Sequence, residues 1–136
     1  VSAFGDSAGM KLISDTGDPI RVLALGGEID LHFAPVLRAL LEEKPAVQIE
    51  ALVLDLSEVA FIDSSGIAAI IEHLRDTERE GSVFCVGGMS EAVKDIFAVI
   101  NLQKAMPVFE TREAALKAIA NRQLAEPSEP LFASDD

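Results

Sequence analysis

Positive charge, cysteine, histidine and long apolar runs are all scarce in this sequence. Only 11 lysines and arginines face 23 aspartates and glutamates, a formal charge of −12 over 136 residues. Nucleic-acid recognition needs a positive footprint, so that partner class is excluded, and an anionic membrane surface is disfavoured for the same reason. A basic protein partner, by contrast, is steered in by such a field. Although 49% of the residues are hydrophobic, no apolar run nears the ~20 residues that a bilayer-spanning helix needs. No basic-then-apolar leader is visible, so the expectation is a cytoplasmic protein. The one cysteine, Cys85, cannot close an internal disulfide, which suits a reducing compartment. Inside Val83-Phe84-Cys85-Val86 it reads as a small buried hydrophobe.

What is present is an alternation of strand-like and helix-like segments. Residues 1–9 are small and polar and are expected to fray. Met10–Ser14 reads as a strand, Asp15-Thr16-Gly17-Asp18-Pro19 as a turn, and Ile20–Leu25 as a second strand, a hairpin arrangement that Gly26-Gly27 is expected to end. Pro35 suits the first turn of a helix with Val36, Leu37, Leu40 and Leu41 on its apolar face and Pro45 as its stop. Ala51–Leu56 is a nearly unbroken apolar run, as expected of a strand covered on both faces. Ile67, Ile70, Ile71 and Leu74 then mark one stripe of a helix reaching about Glu80, with Gly81 as its cap.

Ser82–Val86 reads as a fourth strand that Gly87-Gly88 releases, and Ser90 caps a helix carrying Val93, Ile96, Phe97 and Ile100. Met106–Phe109 is a short last strand. Thr111 caps a final helix with Leu116, Ile119 and Ala120 inward. From Arg122 onward the chain reads as an acidic, disordered tail. The order implies one α/β domain over residues 10–121, with a mixed sheet of four to five strands and about four α-helices. Its functional turns should lie at the carboxyl ends of the parallel strands.

One such turn is Asp63-Ser64-Ser65-Gly66, between the central strand and the helix that follows. Asp63, Ser64 and Ser65 are short oxygen-bearing residues of the kind that cap a helix start, and Gly66 permits close approach of a neighbour. A hydroxyl held there lies where the helix dipole favours added negative charge, which makes Ser64 a candidate phosphate acceptor. The alternative is that Ser64 and Ser65 do no more than cap. Serine-nucleophile chemistry needs a positioned base, and only His32 and His73 are on offer. His73 lies ~13 Å further along the same helix at 1.5 Å rise per residue, and no Gly-x-Ser-x-Gly elbow surrounds Ser64. Glu72-His73 and Glu42-Glu43 do not cluster at metal-ligand spacing, and neither diglycine belongs to a phosphate loop. No catalytic residue, metal or cofactor is expected.

Phe61-Ile62-Asp63-Ser64-Ser65-Gly66-Ile67, together with Gly27-Glu28-Ile29-Asp30 and Ala34-Pro35-Val36-Leu37-Arg38, resembles the bacterial anti-sigma-factor antagonists of the STAS domain family. The resemblance implies a STAS-like fold and a phosphorylation-switched binding module. Its implied partner is an anti-sigma factor that is also a serine kinase with a GHKL-type ATP site, with a PP2C-type phosphatase to reverse the modification. The implied acceptor is Ser64, directly after the aspartate. Asp30, Asp63, Ser65, Gly66, Ile67 and Ile70 are the implied contacts to the partner, although Asp30 suits a turn or cap role equally well. STAS domains also serve as interaction modules in other signalling assemblies and as tails of anion transporters, which is the competing implication. The acidic tail lies outside the family pattern, and Gln103–Phe109 match it only loosely.

Overall fold

β3 (Ala51–Ile62) is the middle strand of a five-stranded sheet in a computed structural model that describes residues 9–17, 19–43 and 50–121. β2 (Ile20–Ile29) and β4 (Val83–Met89) flank it in parallel. β1 (Lys11–Thr16) pairs antiparallel with β2, and β5 (Val108–Phe109) parallel with β4, so the order is β1-β2-β3-β4-β5. Helices α1 (Ala34–Glu42), α2 (Ser64–Glu80) and α3 (Glu91–Ile100) cover one face, and α4 (Arg112–Ala120) covers the other. This is the expected mixed α/β sheet with four helices.

The apolar run in β3 is explained by burial on both sides. Leu52, Leu54 and Leu56 join Leu23, Leu25, Ile70, Leu74 and Phe97 under the three helices, while Val53 joins Val22, Cys85 and Ala115 beneath α4. Each such aliphatic side chain contributes about 1.5–3 kcal/mol when fully buried. Two part-buried arginine–aspartate pairs brace this frame. Arg21 forks onto Asp15 across the β1–β2 hairpin at 2.8 and 2.9 Å. Arg112, at the start of α4, donates to Asp55 of β3 at 2.9 Å, and Ser57 adds hydrogen bonds from its amide and hydroxyl to the same carboxylate.

Several boundaries differ from expectation. Both diglycines lie inside strands rather than at their ends. Gly27 adopts φ +77° where the β2–β3 register shifts, and a Cβ there would meet the Gly9 carbonyl oxygen at 2.3 Å. At Gly87 a Cβ would come within 2.9 Å of the Arg112 Cα, so this glycine lets α4 lie directly on β4. These glycines serve close approach, not termination. β3 likewise runs past Leu56 to Ile62, and β5 is only Val108–Phe109, with Met106 buried ahead of it. On α4 the buried face is Ala115 and Ala118, with Leu116 and Ile119 partly covered and Ala120 exposed. Small residues are what fit against Gly87. α1 stops at Glu42, and the expected break at Pro45 lies outside the described residues, as do residues 1–8 of the N-terminal segment and the tail from Arg122. No described helix is long and apolar enough to cross a membrane.

Candidate functional site

Ile29 and Ile62 pair at the ends of the parallel strands β2 and β3, so the turns into α1 and α2 leave the sheet side by side. Asp63 joins them. Its amide donates to the Ile29 carbonyl at 3.0 Å, and its extended backbone places it as the N-cap of α2. One carboxylate oxygen accepts the amides of Ser65 and Gly66 at 2.9 and 3.1 Å. The other accepts the amide of Leu31 at 3.1 Å, across from the neighbouring turn. Asp30 organises its own turn, with one carboxylate oxygen accepting the amides of His32 and Phe33 at 3.0 and 3.3 Å. Its turn role is therefore visible in the geometry.

Asp63, not a serine, is the helix cap. Ser64 occupies the first position of α2 with its side chain exposed, and Ser65 is half-buried. Gly66 is buried under the turn: a Cβ there would stand 2.7 Å from Ile62 Cγ1 and 2.8 Å from Ile29 Cγ2. Removing that carbon lets the first turn of α2 sit directly on the two strand ends. The turn is thus held from ahead by Asp63 and from beneath by Gly66, which leaves the Ser64 hydroxyl free of either structural task.

The remaining candidates divide. Asp30, Asp63, Ser64 and Ser65 come together at the sheet end. Ile67 and Ile70, at 7% and 0% exposure, face the core. Ile70 is fully buried, because its stripe is the one that packs α2 onto the sheet. Ser64 shares an apolar groove with Ile67, Ala68 and Ile71 of α2 and with residues of α3, so Ile67 reaches both the core and this groove. Leu31, 73% exposed, stands beside Asp63. Sequence reasoning passed over it, although an apolar residue straight after Asp30 in a turn was the available signal.

The other reactive groups are not arranged for chemistry with Ser64. His73 packs edge-on against Phe84 at 4.8 Å, and its burial holds the imidazole below its usual pKa. His32 is exposed and lies edge-on to Phe33. Burial pushes the Cys85 thiol up to about 12. Among the described residues no three His, Cys, Asp or Glu side chains converge, and Glu72 is taken by Arg38 of α1 at 2.7 Å.

A family model described as STAS domain matches residues 11–115. An anti-sigma F factor antagonist from Paenibacillus polymyxa is 28% identical over 98 residues, covering 71% of this chain and 84% of that protein. The RsbT co-antagonist protein RsbRD of Bacillus subtilis (strain 168) is 29% identical over 106 residues, which are 77% of this chain but 37% of that protein. The crystal structure of an anti-sigma factor antagonist from Mycobacterium paratuberculosis is similar with a TM-score of 0.74 at 27% identity, covering 83% of this chain and 96% of that one.

Proposed function

This chain belongs to the STAS domain family, and from that footing we propose that it is a cytoplasmic anti-sigma-factor antagonist, switched off by phosphate on Ser64. It acts by binding, not catalysis. Unmodified, it engages an anti-sigma factor that is also a GHKL-type serine kinase, and the sigma factor is released. The kinase moves the γ-phosphoryl group of ATP to the Ser64 oxygen, the hydroxyl proton leaves, and ADP departs. A PP2C-type phosphatase restores the hydroxyl.

The observation that carries this reading is the division of labour at the start of α2. Asp63 does the capping and Gly66 the packing, so Ser64 presents an exposed hydroxyl with no structural duty. Phosphate adds about −1.5 to −2 charges beside Asp63. Since Asp63 already takes two of the first amides of α2, the added charge is left facing outward. A partner surface matched to a neutral hydroxyl then suffers desolvation cost and like-charge repulsion. Asp30, Asp63, Ser65 and the exposed Leu31 frame that surface, Ile67 lines the groove beside it, and Gly66 and Ile70 hold the turn in position from within. The named relatives that are anti-sigma-factor antagonists support the choice of partner.

Titration calorimetry with the GHKL-type anti-sigma factor of the same cell tests the proposal. Ser64→Asp is expected to weaken binding by about tenfold or more, or 1.4 kcal/mol. Equal affinity for both proteins refutes it. The match to part of a longer RsbT co-antagonist favours a second reading, in which the domain is an interaction module of a larger signalling assembly. A scaffold in place of a kinase as the captured partner would select that reading.

A further inference from the structure

We propose that the groove between α2 and α3 docks an amphipathic helix with basic flanks, belonging to a second protein partner distinct from the kinase. The groove holds about 400 Å³, with Ser64 and Asp95 at its rim and Ala68, Ile71, Val99 and Ile100 among its lining residues. α3 meets its packing needs through Val93 and Phe97, which are buried. Val99 and Ile100 are surplus to that core, at 83% and 43% exposure. They follow Ile96 at i+3 and i+4, so α3 carries a second apolar stripe turned towards α2 rather than towards the sheet. A trough of this kind, walled by aliphatic side chains of two helices, accepts one further helix through anchors at i, i+3, i+4 and i+7.

Charge decides between occupants. Asp95 takes no ion pair among the described residues, whereas Lys94 beside it is engaged with Glu91 at 3.6 Å. The rim carboxylate therefore stands open in a chain whose formal charge is −12. A segment with lysine or arginine flanking its apolar face completes Asp95 and is steered in by the overall field. A second copy of this chain brings the same negative charge, and the acidic residues 122–136 carry Glu126, Glu129, Asp135 and Asp136 against Arg122; both are repelled. The groove contact shares Ser64 with the kinase contact but responds to phosphate in the opposite sense. Phosphate on Ser64 adds negative charge to the same rim and attracts basic flanks, whereas the proposed kinase contact loses affinity.

The test uses a display library of short helical peptides with leucines fixed at i, i+3, i+4 and i+7 and every flanking position drawn from lysine or glutamate. It is selected on the full chain, on Val99→Gln and on Asp95→Lys. Both substitutions lie on the exposed surface of α3, and thermal unfolding checks that the fold is unchanged. The expected result is enrichment of lysine-flanked peptides on the unaltered chain, about tenfold weaker binding to Val99→Gln, and inversion to glutamate flanks on Asp95→Lys. No enrichment over Val99→Gln, or a flank preference that Asp95→Lys leaves unmoved, overturns the proposal. So does self-association abolished by Val99→Gln, which would make the groove a face between two copies. None of these outcomes alters the kinase reading, which is scored on Ser64→Asp.

Discussion

Replacing Asp63 separates the two tasks that its carboxylate performs. One oxygen caps α2 through the Ser65 and Gly66 amides, and the other ties in the Leu31 amide from the α1 turn. Loss of a cap costs about 1 kcal/mol, and loss of a negative charge at a helix N-terminus a further ~0.3–1 kcal/mol. The Leu31 hydrogen bond is exposed, so water replaces it and its loss adds only about 0.5 kcal/mol. Asp63→Ala should therefore destabilise the fold by about 2 kcal/mol. Asp63→Asn keeps an oxygen for Ser65 and Gly66 but loses the charge and turns its amide group towards the Leu31 N–H, so about 1 kcal/mol is expected. Urea unfolding of the three proteins at constant m-value measures the difference. Amide hydrogen exchange assigns it: Leu31 should exchange faster in both variants, and Ser65 and Gly66 faster only in Asp63→Ala. The reasoning is refuted if Asn costs as much as Ala, or if Ala costs under ~0.5 kcal/mol.

Gly66→Ala sets a helix-propensity gain of about 1 kcal/mol against overpacking of ~1–3 kcal/mol. With Ile62 Cγ1 and Ile29 Cγ2 inside 3 Å of the new carbon, the clash should win and the midpoint of thermal unfolding should fall. Arg112→Ala leaves the Asp55 carboxylate buried with only Ser57 as a partner. A loss of about 2 kcal/mol is expected, below the ~3–5 kcal/mol of a fully buried pair because Arg112 is partly exposed. Cys85, buried beneath α4, should then become labelled by a thiol reagent that the unaltered protein resists. His73 is depressed by burial from an unfolded value of 6.5, so the unfolded chain binds the extra proton first. Its contribution to stability is present above pH 6.5 and is lost as pH falls through the folded pKa. Urea unfolding across that window should show a smaller acid-side loss in His73→Gln than in the unaltered protein.

Element type was legible wherever periodicity was strong. The i, i+3, i+4 stripes of α1, α2 and α3 and the apolar run of β3 appear where the pattern places them, because in each case burial on a defined face dictates the spacing. Element ends were legible only where caps carry the signal, as at Ser90, Thr111 and Gly81. Gly26-Gly27 and Gly87-Gly88 misled because glycine serves two ends: it permits a turn, and it permits contact. Here Gly9 and α4 approach β2 and β4 too closely for a side chain, and that neighbour is invisible in a linear chain. The same limit applies to Asp55 and Arg112, which meet from positions 55 and 112.

At the candidate site the residue types were readable but their roles were not. A cluster of Asp63, Ser64 and Ser65 announces a cap without saying which oxygen provides it. Only the geometry gives the task to Asp63, and it does so through the Leu31 amide as much as through the helix. The stripe of Ile67, Ile70 and Leu74 was legible as one apolar face, and three helices packed on one side of the sheet put it inside. Periodicity places Ile100 on the same stripe as Val93, Ile96 and Phe97, yet it is 43% exposed, because at the last turn of α3 the stripe runs off the core.

The central claim is that Ser64 accepts a phosphate that controls binding. Peptide mass spectrometry of the protein recovered from its own cells, in growth and under starvation, tests it most directly, with Ser64→Ala recovered in parallel. The account predicts a phosphate on Ser64 that is absent from the mutant and does not move to Ser65. A Ser64 that stays unmodified under every condition, or a phosphate found on Ser65 instead, would contradict it.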